Sequence, residues 1–318
     1  MQVRGEWVMP LLSILIPTYN RSEELKKNLT IINNAIIKMN YSKQIMIIIS
    51  DNGSDGKVVQ TLQDFIKNYL GNNVLFFHQE RNIGFEKNCL FLLEKARTEY
   101  VMLLGDDDYI SGEYIQEVME KLRNEKPMVI IPNFYSVDGQ GKRIGKNRDV
   151  EGVAKKLYKS IDVDKCVLAH QMSGIVFFLP GALKSYKENV KGTVYPQIYF
   201  VAYNLQRGNG IYIRQYPLEN TVIPQKNFSY KFDNLFGDIA RSVDGLEFDT
   251  LKHRVMFLKK IADYYKRRYC YKALYLHPFK FWLKVKREYD ISTEFQNIII
   301  IKFFSEFLKS GLKKILRG

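Results

Sequence analysis

Tyr100-Val101-Met102-Leu103-Leu104-Gly105-Asp106-Asp107-Asp108-Tyr109 is the stretch on which the fold turns. Five residues that read as a buried strand run into three consecutive carboxylates, with a glycine at the joint and Ser111-Gly112 opening a helix beyond. An acidic run taken alone is ordinarily a solvated loop. Its position changes that reading, because the carboxyl end of a parallel strand borders the crevice where open α/β sheets bind ligands. Like charges packed together there need a cation or a polar partner to offset their repulsion. Hard oxygen ligands suit Mg²⁺ or Mn²⁺ carrying a phosphorylated substrate.

The flanking sequence repeats the same unit. Leu11 to Ile16 is a near-continuous apolar run stopped by Pro17, as expected of a strand covered on both faces. After Thr18-Tyr19-Asn20, apolar residues recur at helical spacing at Leu25, Leu29, Ile32, Ile36 and Met39, with Glu23 and Glu24 in the first turn. Ile45 to Ile49 and Val74 to Phe77 are further strands. Each is followed by a polar loop and a helix, marked by Val58, Val59, Leu62, Phe65, Ile66 and Tyr69 and by Leu90, Leu93 and Ala96. Beyond the acidic triplet come a helix through Tyr114, Ile115, Val118, Met119 and Leu122 and a strand from Met128 to Ile131. This β/α alternation predicts an α/β fold with a doubly wound, mostly parallel sheet and right-handed crossovers.

After Pro132 the pattern becomes mixed. Asp138-Gly139-Gln140-Gly141 signals a hairpin turn, Ile175 to Leu179 and Gly210 to Ile213 read as short strands, and helices are expected near Val153 to Tyr158 and over Ile198 to Leu205. From Leu251 the chain reads as helices broken at Pro278 and around Asp290 to Thr293. The resulting division is residues 1–250 as one domain, with 11–131 and 132–250 as its halves, followed by a helical tail over 251–318.

Composition restricts the function. The net charge is +14, but residues 251–318 hold 17 Lys and Arg against 5 Asp and Glu, so the rest of the chain is nearly balanced. No helix-turn-helix, RNP or zinc pattern accompanies the basic tail, which argues against nucleic acid as a partner. Cys89, Cys166 and Cys270 are odd in number and far apart, as suits a reducing compartment. The first residues do not have the form of a signal peptide, and no apolar stretch reaches membrane-spanning length. A cytoplasmic location is expected.

Four loops in order carry a resemblance: Ile14-Leu15-Ile16-Pro17-Thr18-Tyr19-Asn20, Ser50-Asp51-Asn52-Gly53-Ser54-Asp55, Arg81-Asn82-Ile83-Gly84 with Asn88, and Leu104-Gly105-Asp106-Asp107-Asp108. Together they resemble the family 2 glycosyltransferases of the GT-A fold. The Leu-Gly-Asp-Asp-Asp form looks like the bacterial O-antigen and capsule branch that includes abequosyltransferase-like proteins. The match covers about residues 11 to 131 and fades afterwards.

The resemblance implies a metal-dependent, inverting transfer from a nucleotide diphosphate-sugar to a saccharide acceptor. It implies that Pro17, Thr18 and Tyr19 line the base pocket and that Asp51 accepts from a base N–H, as relatives do with uracil. Arg81 then covers the base or pyrophosphate. Asp106, beside Asp107, holds the ribose or a metal-bound water, and Asp108 with Asp106 ligates Mn²⁺ or Mg²⁺. Taken without the resemblance, Asp51 reads equally as an Asx-turn residue or a helix cap, Tyr19 as a loop aromatic and Arg81 as a surface arginine.

The chain departs from the family where many relatives carry an acidic pair at the start of a helix in the acceptor half. Tyr195-Pro196-Gln197 stands there with no carboxylate. Glu188, seven residues before Tyr195, and His170 in His170-Gln171-Met172-Ser173-Gly174 are the substitutes for a general base, each with a structural reading beside it. The missing pair motivates a second reading, a catalytically inactive protein that binds a nucleotide sugar or a membrane surface.

The tail adds an independent expectation. Ile300, Phe303, Phe304, Phe307, Leu308, Leu312, Ile315 and Leu316 alternate with polar positions as one face of a helix, and the polar face carries Lys302, Lys309, Lys313, Lys314 and Arg317. Such a helix suits the plane of an anionic membrane, where a lipid-linked acceptor would be met on the inner face. Packing onto the domain with a solvated basic face is the alternative.

Overall fold

Strand β1, Leu12–Thr18, is buried at every position, because both faces of the run are apolar and helices cover both. The computed structural model describes residues 9–144, 156–222, 235–273 and 278–315. Pro17 does not end β1: the strand continues to Thr18, and Pro17 and Thr18 stay in register with Ser50 and Asp51 of β2, Ile45–Asp51.

The sheet lies in the first of two compact units, made by the chain up to Ser160, Gln171–Leu183 and the segment from Asn204 through the last strand. β3, Val74–His78, and β4, Tyr100–Leu103, join β2 and β1 in parallel. Helices α1, Ser22–Lys38, α2, Gly56–Tyr69, and α4, Gly112–Asn124, cover one face, where Leu29, Ile32, Leu62, Tyr114 and Val118 close over Leu12, Ile14 and Ile16. Helix α3, Phe85–Lys95, packs on β1 and β2 and buries Cys89, Leu92 and Leu93. The doubly wound, mostly parallel sheet expected from the alternation is present.

The order beyond β4 differs from simple alternation. β5 is Val129–Val137, yet the strand beside β4 is β8, Ile175–Phe178, which runs antiparallel to both β4 and β5. β9, Gly210–Thr221, then pairs in parallel with β5, giving the order β3-β2-β1-β4-β8-β5-β9. The hairpin at Asp138 forms as expected: β6, Arg143–Ile144, returns on β5, and Asp138 Oδ1 accepts from the main-chain N–H groups of Gln140 and Lys142 at 3.0 and 2.9 Å.

The helix expected near Val153 to Tyr158 is not found where the chain is described. Lys156–Leu157 is a short strand, β7, antiparallel to β9, because the free edge of β9 offers a ladder that a short apolar-polar pair can satisfy. The remainder of that expectation lies outside the described residues, as do Leu316 and Arg317 of the tail.

The second unit gathers Ile161–His170, Lys184–Tyr203 and the helices that follow β9. A 3₁₀ helix over Val163–His170 opens it. Helices α5, Ala182–Asn189, and α6, Pro196–Leu205, bring Tyr186, Tyr199 and Phe200 into one buried aromatic cluster, with ring centroids 5.1 to 6.1 Å apart. α7, Leu235–Asp244, α8, Leu251–Ala273, α9, Pro278–Glu288, and α10, Thr293–Ile315, complete it; the break expected around Asp290 to Thr293 separates α9 from α10, while residues 274–277, before Pro278, lie outside the described residues.

The tail helix divides its apolar residues between two rows. Phe295, Ile299 and Phe303 are fully buried, and Phe303 stacks on Phe281 of α9 at 4.0 Å. Lys302 Nζ donates to both oxygens of Asp263 on α8, at 2.6 and 2.8 Å. Ile301, Phe304 and Leu308 form the other row and are exposed, as are Phe279 and Trp282 of α9, stacked on each other at 5.8 Å. Phe303 therefore belongs to the interior of this unit and not to a free apolar face, because its stack with Phe281 removes it from water.

Candidate functional site

Four loops converge at the carboxyl ends of β1 to β4, and their own polar groups knit them together. Thr18 Oγ1, at the end of β1, donates to Asp106 Oδ2 at 2.9 Å. Asn20 N donates to Ser54 Oγ at 2.7 Å, and Asn20 Oδ1 accepts from Asp55 N at 3.1 Å. Asn52 Nδ2 donates to Asn82 Oδ1 at 3.0 Å, while Asn52 Oδ1 accepts from Ile83 N at 2.9 Å. Gly53 permits this closeness. Its φ is +79°, and a Cβ there would stand 2.4 Å from the main-chain carbon of Arg81.

The acidic triplet lies 4 to 5% exposed at the mouth of β4. Asn28 on α1 holds its backbone, with Nδ2 donating to the carbonyls of Gly105 and Asp108, both at 2.9 Å. Arg21, the residue before α1, donates from one Nη1 to Asp106 Oδ1 at 2.9 Å and Asp107 Oδ2 at 3.2 Å. Asp108 is gripped separately. Its Oδ1 accepts from Thr221 N at 3.0 Å, and its Oδ2 accepts from Gln171 Nε2 at 2.8 Å and from Ser173 Oγ. The same Ser173 Oγ accepts from Gly105 N at 3.0 Å.

The electrostatics follow from burial. Loss of water pushes the Asp106 carboxyl up to about 6, and the neighbouring Asp107 charge adds to this, while Arg21 and the Thr18 hydroxyl pull the other way. Burial and the Asp107 charge push the Tyr109 phenol up to about 12, and Lys27 Nζ sits 4.1 Å from the centre of its ring. Hard carboxylate oxygens crowded at a buried point are the ligand type that a hard divalent cation takes. Among the described residues no group of three or more His, Cys, Asp or Glu forms a cage by itself, so such a cation would need ligands from a bound substrate.

Pro17 and Thr18 are buried, and Thr18 spends its hydroxyl on Asp106. Tyr19 is 44% exposed, open to a planar ligand. Asp51 is fully buried. One of its oxygens accepts from Ser54 N at 2.9 Å and lies 2.7 Å from His78 Nδ1, and the other accepts from Ser54 Oγ. These local bonds turn the carboxylate toward its own loop and His78. Arg81 is exposed, on the loop that Asn52 fastens.

Glu188 and His170 belong to the second unit. Glu188 is on an exposed turn of α5 with its carboxylate 3.8 Å from Lys184 Nζ. His170 ends the 3₁₀ helix, with Nδ1 3.4 Å from the Val167 carbonyl and its own carbonyl accepting from Gln197 Nε2 at 3.4 Å. Gln197, at the place where the resemblance leads to an expected acidic pair, is 2% exposed, and its Oε1 has no hydrogen-bond partner among the described residues.

Arg21, Asn28, Gln171, Ser173 and Thr221 are site residues that sequence reasoning did not identify. A signal existed for Asn28, an amide at the inward spacing between Leu25 and Leu29 on the apolar face of α1. Gln171 and Ser173 lie within three residues of His170 in the chain, and no local pattern marks their partner.

Residues 13–199 match the sequence profile described as Glycosyl transferase family 2. The chain is 33% identical over 104 residues to abequosyltransferase RfbV of Salmonella typhimurium, covering 32% of this chain and 30% of that protein. It is 35% identical over 118 residues to the GalNAc(5)-diNAcBac-PP-undecaprenol beta-1,3-glucosyltransferase of Campylobacter jejuni, covering 36% and 35%. These alignments span about a third of the length of either relative. In three dimensions, residues 1–349 of S. aureus TarS in complex with UDP-GlcNAc share the fold, with a TM-score of 0.61, 13% identity, and 95% of this chain and 92% of that one covered.

Proposed function

The chain belongs to glycosyltransferase family 2, and from that premise we propose that it transfers a sugar from a nucleotide diphosphate-sugar to a saccharide acceptor in the synthesis of a bacterial surface polysaccharide. One observation carries this reading: four polar loops meet at the carboxyl ends of four parallel strands around a buried acidic triplet. That crevice is where an open α/β sheet takes its ligand. The names of the relatives above, an abequosyltransferase and a glucosyltransferase acting on a lipid-linked oligosaccharide, support the class of reaction.

The donor is proposed to be a UDP-sugar, with the base against Tyr19 and Pro17 and the Asp51–His78 pair beneath it. The TarS complex with UDP-GlcNAc supports this choice. Asp106 and Asp108 would hold Mn²⁺ or Mg²⁺ together with the donor's phosphates. The cation would stabilise the negative charge that develops on the departing nucleoside diphosphate. Thr18 keeps the Asp106 carboxylate aimed, and Asn28 fixes the main chain of the triplet. Gln171 and Ser173 fix Asp108, so the chain meets the leaving group with preset dipoles. For an inverting transfer the acceptor hydroxyl must lose a proton, and His170 and Glu188 remain the proposed acceptors of it.

The acceptor is proposed to be lipid-linked and met at an anionic membrane surface. Among the described residues no helix is long and apolar enough to cross a membrane. The exposed Ile301, Phe304 and Leu308, with Phe279 and Trp282 nearby in the chain's most basic segment, are suited to lying in the interface. Each Lys or Arg near such a surface adds about 1 kcal/mol.

A panel of nucleotide sugars, screened by thermal shift with and without Mn²⁺ and followed by a transfer assay, tests the reading. Stabilisation by UDP-sugars with measurable transfer supports it. Stabilisation without transfer or hydrolysis favours the inactive binding protein, and greater stabilisation by GDP than by UDP, CDP or dTDP overturns the choice of base.

A further inference from the structure

The loop after β1 puts a positive charge on the oxygens that a divalent cation would use. Arg21 Nη1 bridges Asp106 Oδ1 and Asp107 Oδ2 at 2.9 and 3.2 Å. The arginine side chain is 36% exposed and both carboxylates 6%, so the guanidinium caps a buried acidic cluster from its solvent side. Placed between them, it offsets part of the repulsion between Asp106 and Asp107. A divalent ion on Asp106 would meet that guanidinium at close range, and two cations cannot share one carboxylate oxygen without strong repulsion.

We propose that Arg21 is an exchanging counter-ion and a donor-binding residue. It holds Asp106 and Asp107 in the donor-free protein, releases them when the divalent cation arrives, and turns its guanidinium onto the donor's diphosphate. This inference rests on the reading that the crevice takes a nucleotide diphosphate together with a divalent cation.

The chemistry of the side chain suits both positions. A planar guanidinium with five donors pairs with carboxylates or with phosphate oxygens, whereas an ammonium is a point charge on a flexible stem. The backbone around it is fixed. Asn20, at φ +53°, is tied through its N–H to Ser54 and through its side chain to Asp55, and α1 begins at Ser22. The exchange is therefore a change of side-chain rotamer, with no movement of the loop. Thr18 keeps its hydrogen bond to the other oxygen of Asp106 throughout, so the carboxylate remains aimed while its counter-ion changes.

Calorimetric titration of the full chain with MnCl₂ alone, and with UDP in excess MnCl₂, tests this in the parent, Arg21→Gln and Arg21→Lys. Arg21→Gln is expected to bind Mn²⁺ without nucleotide about tenfold tighter than the parent, because its competitor is gone, and to bind UDP about tenfold more weakly. Arg21→Lys is expected to fall between the two on both measures and serves if the glutamine variant does not fold. Unchanged or weaker Mn²⁺ binding in the variants overturns the exchange, and unchanged UDP binding overturns the contact with the diphosphate. UDP binding that ignores Mn²⁺ in the parent instead removes the metal reading beneath the proposal.

Discussion

The main-chain N–H of Thr221 donates to Oδ1 of Asp108 at 3.0 Å, tying the end of β9 to the loop after β4 across 113 residues of sequence. Gln171 and Ser173 close on the other oxygen. Asp108 thus fastens two distant segments, the end of β9 and the loop before β8, to its own loop, as well as being a candidate ligand.

Asp108→Ala should therefore cost stability and not only donor binding. Thr221 N, Gln171 Nε2 and Ser173 Oγ all lose that acceptor at a position 5% exposed. At about 1–3 kcal/mol for each buried group so affected, a total of about 3 kcal/mol or more is expected, read as a shifted denaturant midpoint at constant m. A loss below about 1 kcal/mol would show that the fastening is unimportant.

Gly53→Ala should damage the crevice through its backbone. The new Cβ would stand 2.4 Å from the Arg81 main-chain carbon, at a φ of +79°. Relief requires the loop at Arg81 to move, so a loss of about 2–4 kcal/mol is expected together with weaker UDP binding. Asn52→Ala, which removes two hydrogen bonds without a clash, should weaken UDP binding at a smaller cost of about 1–2 kcal/mol.

The pH dependence of stability should carry the mark of Asp106. Its folded pKa, about 6, lies above its ordinary 3.8. Between about pH 4 and 6 the folded protein holds a proton that the unfolded chain has released, so this contribution is present at low pH and is lost as pH rises through 6. In EDTA, the Tm of the parent relative to Asp106→Asn should fall across that window and level off above it. Parallel curves for the two proteins would contradict the placement of this carboxyl.

The two rows of α10 should separate stability from membrane binding. Phe303→Ala removes a fully buried ring stacked on Phe281 and should cost about 3–5 kcal/mol. Changing Ile301, Phe304 and Leu308 together to Glu should leave Tm nearly unchanged and reduce sedimentation with anionic liposomes. It should also reduce transfer to a lipid-linked acceptor more than transfer to a short soluble one. Equal sedimentation of this variant and the parent would show that the exposed row does not meet lipid.

The parallel half of the sheet was legible because its signals are local: apolar runs of strand length, polar loops and helical spacing recur in one order from Leu11 to Ile131. The insertion of β8 between β4 and β5 was not. Ile175–Phe178 announces a short buried strand, but its neighbours are chosen by ladder pairing with residues far away in sequence. The acidic triplet was legible as a site, whereas its partners were not. Arg21 and Gln171 have no pattern of their own and acquire a role only when the loops converge. Periodicity alone could not say that the row of the tail helix containing Phe303 faces α9. The reading of Asp51 as a contact for the base took no account of His78, which stands beside it only once β2 and β3 are paired.

Titration of UDP into the parent chain in excess Mn²⁺ and again in EDTA, repeated with Asp106→Ala, bears most directly on the proposed donor site. Affinity is expected to be at least about tenfold higher with Mn²⁺ in the parent, and this difference should vanish in the variant. Equal UDP affinity in Mn²⁺ and EDTA, or a metal effect that survives Asp106→Ala, would contradict a donor site built on the triplet.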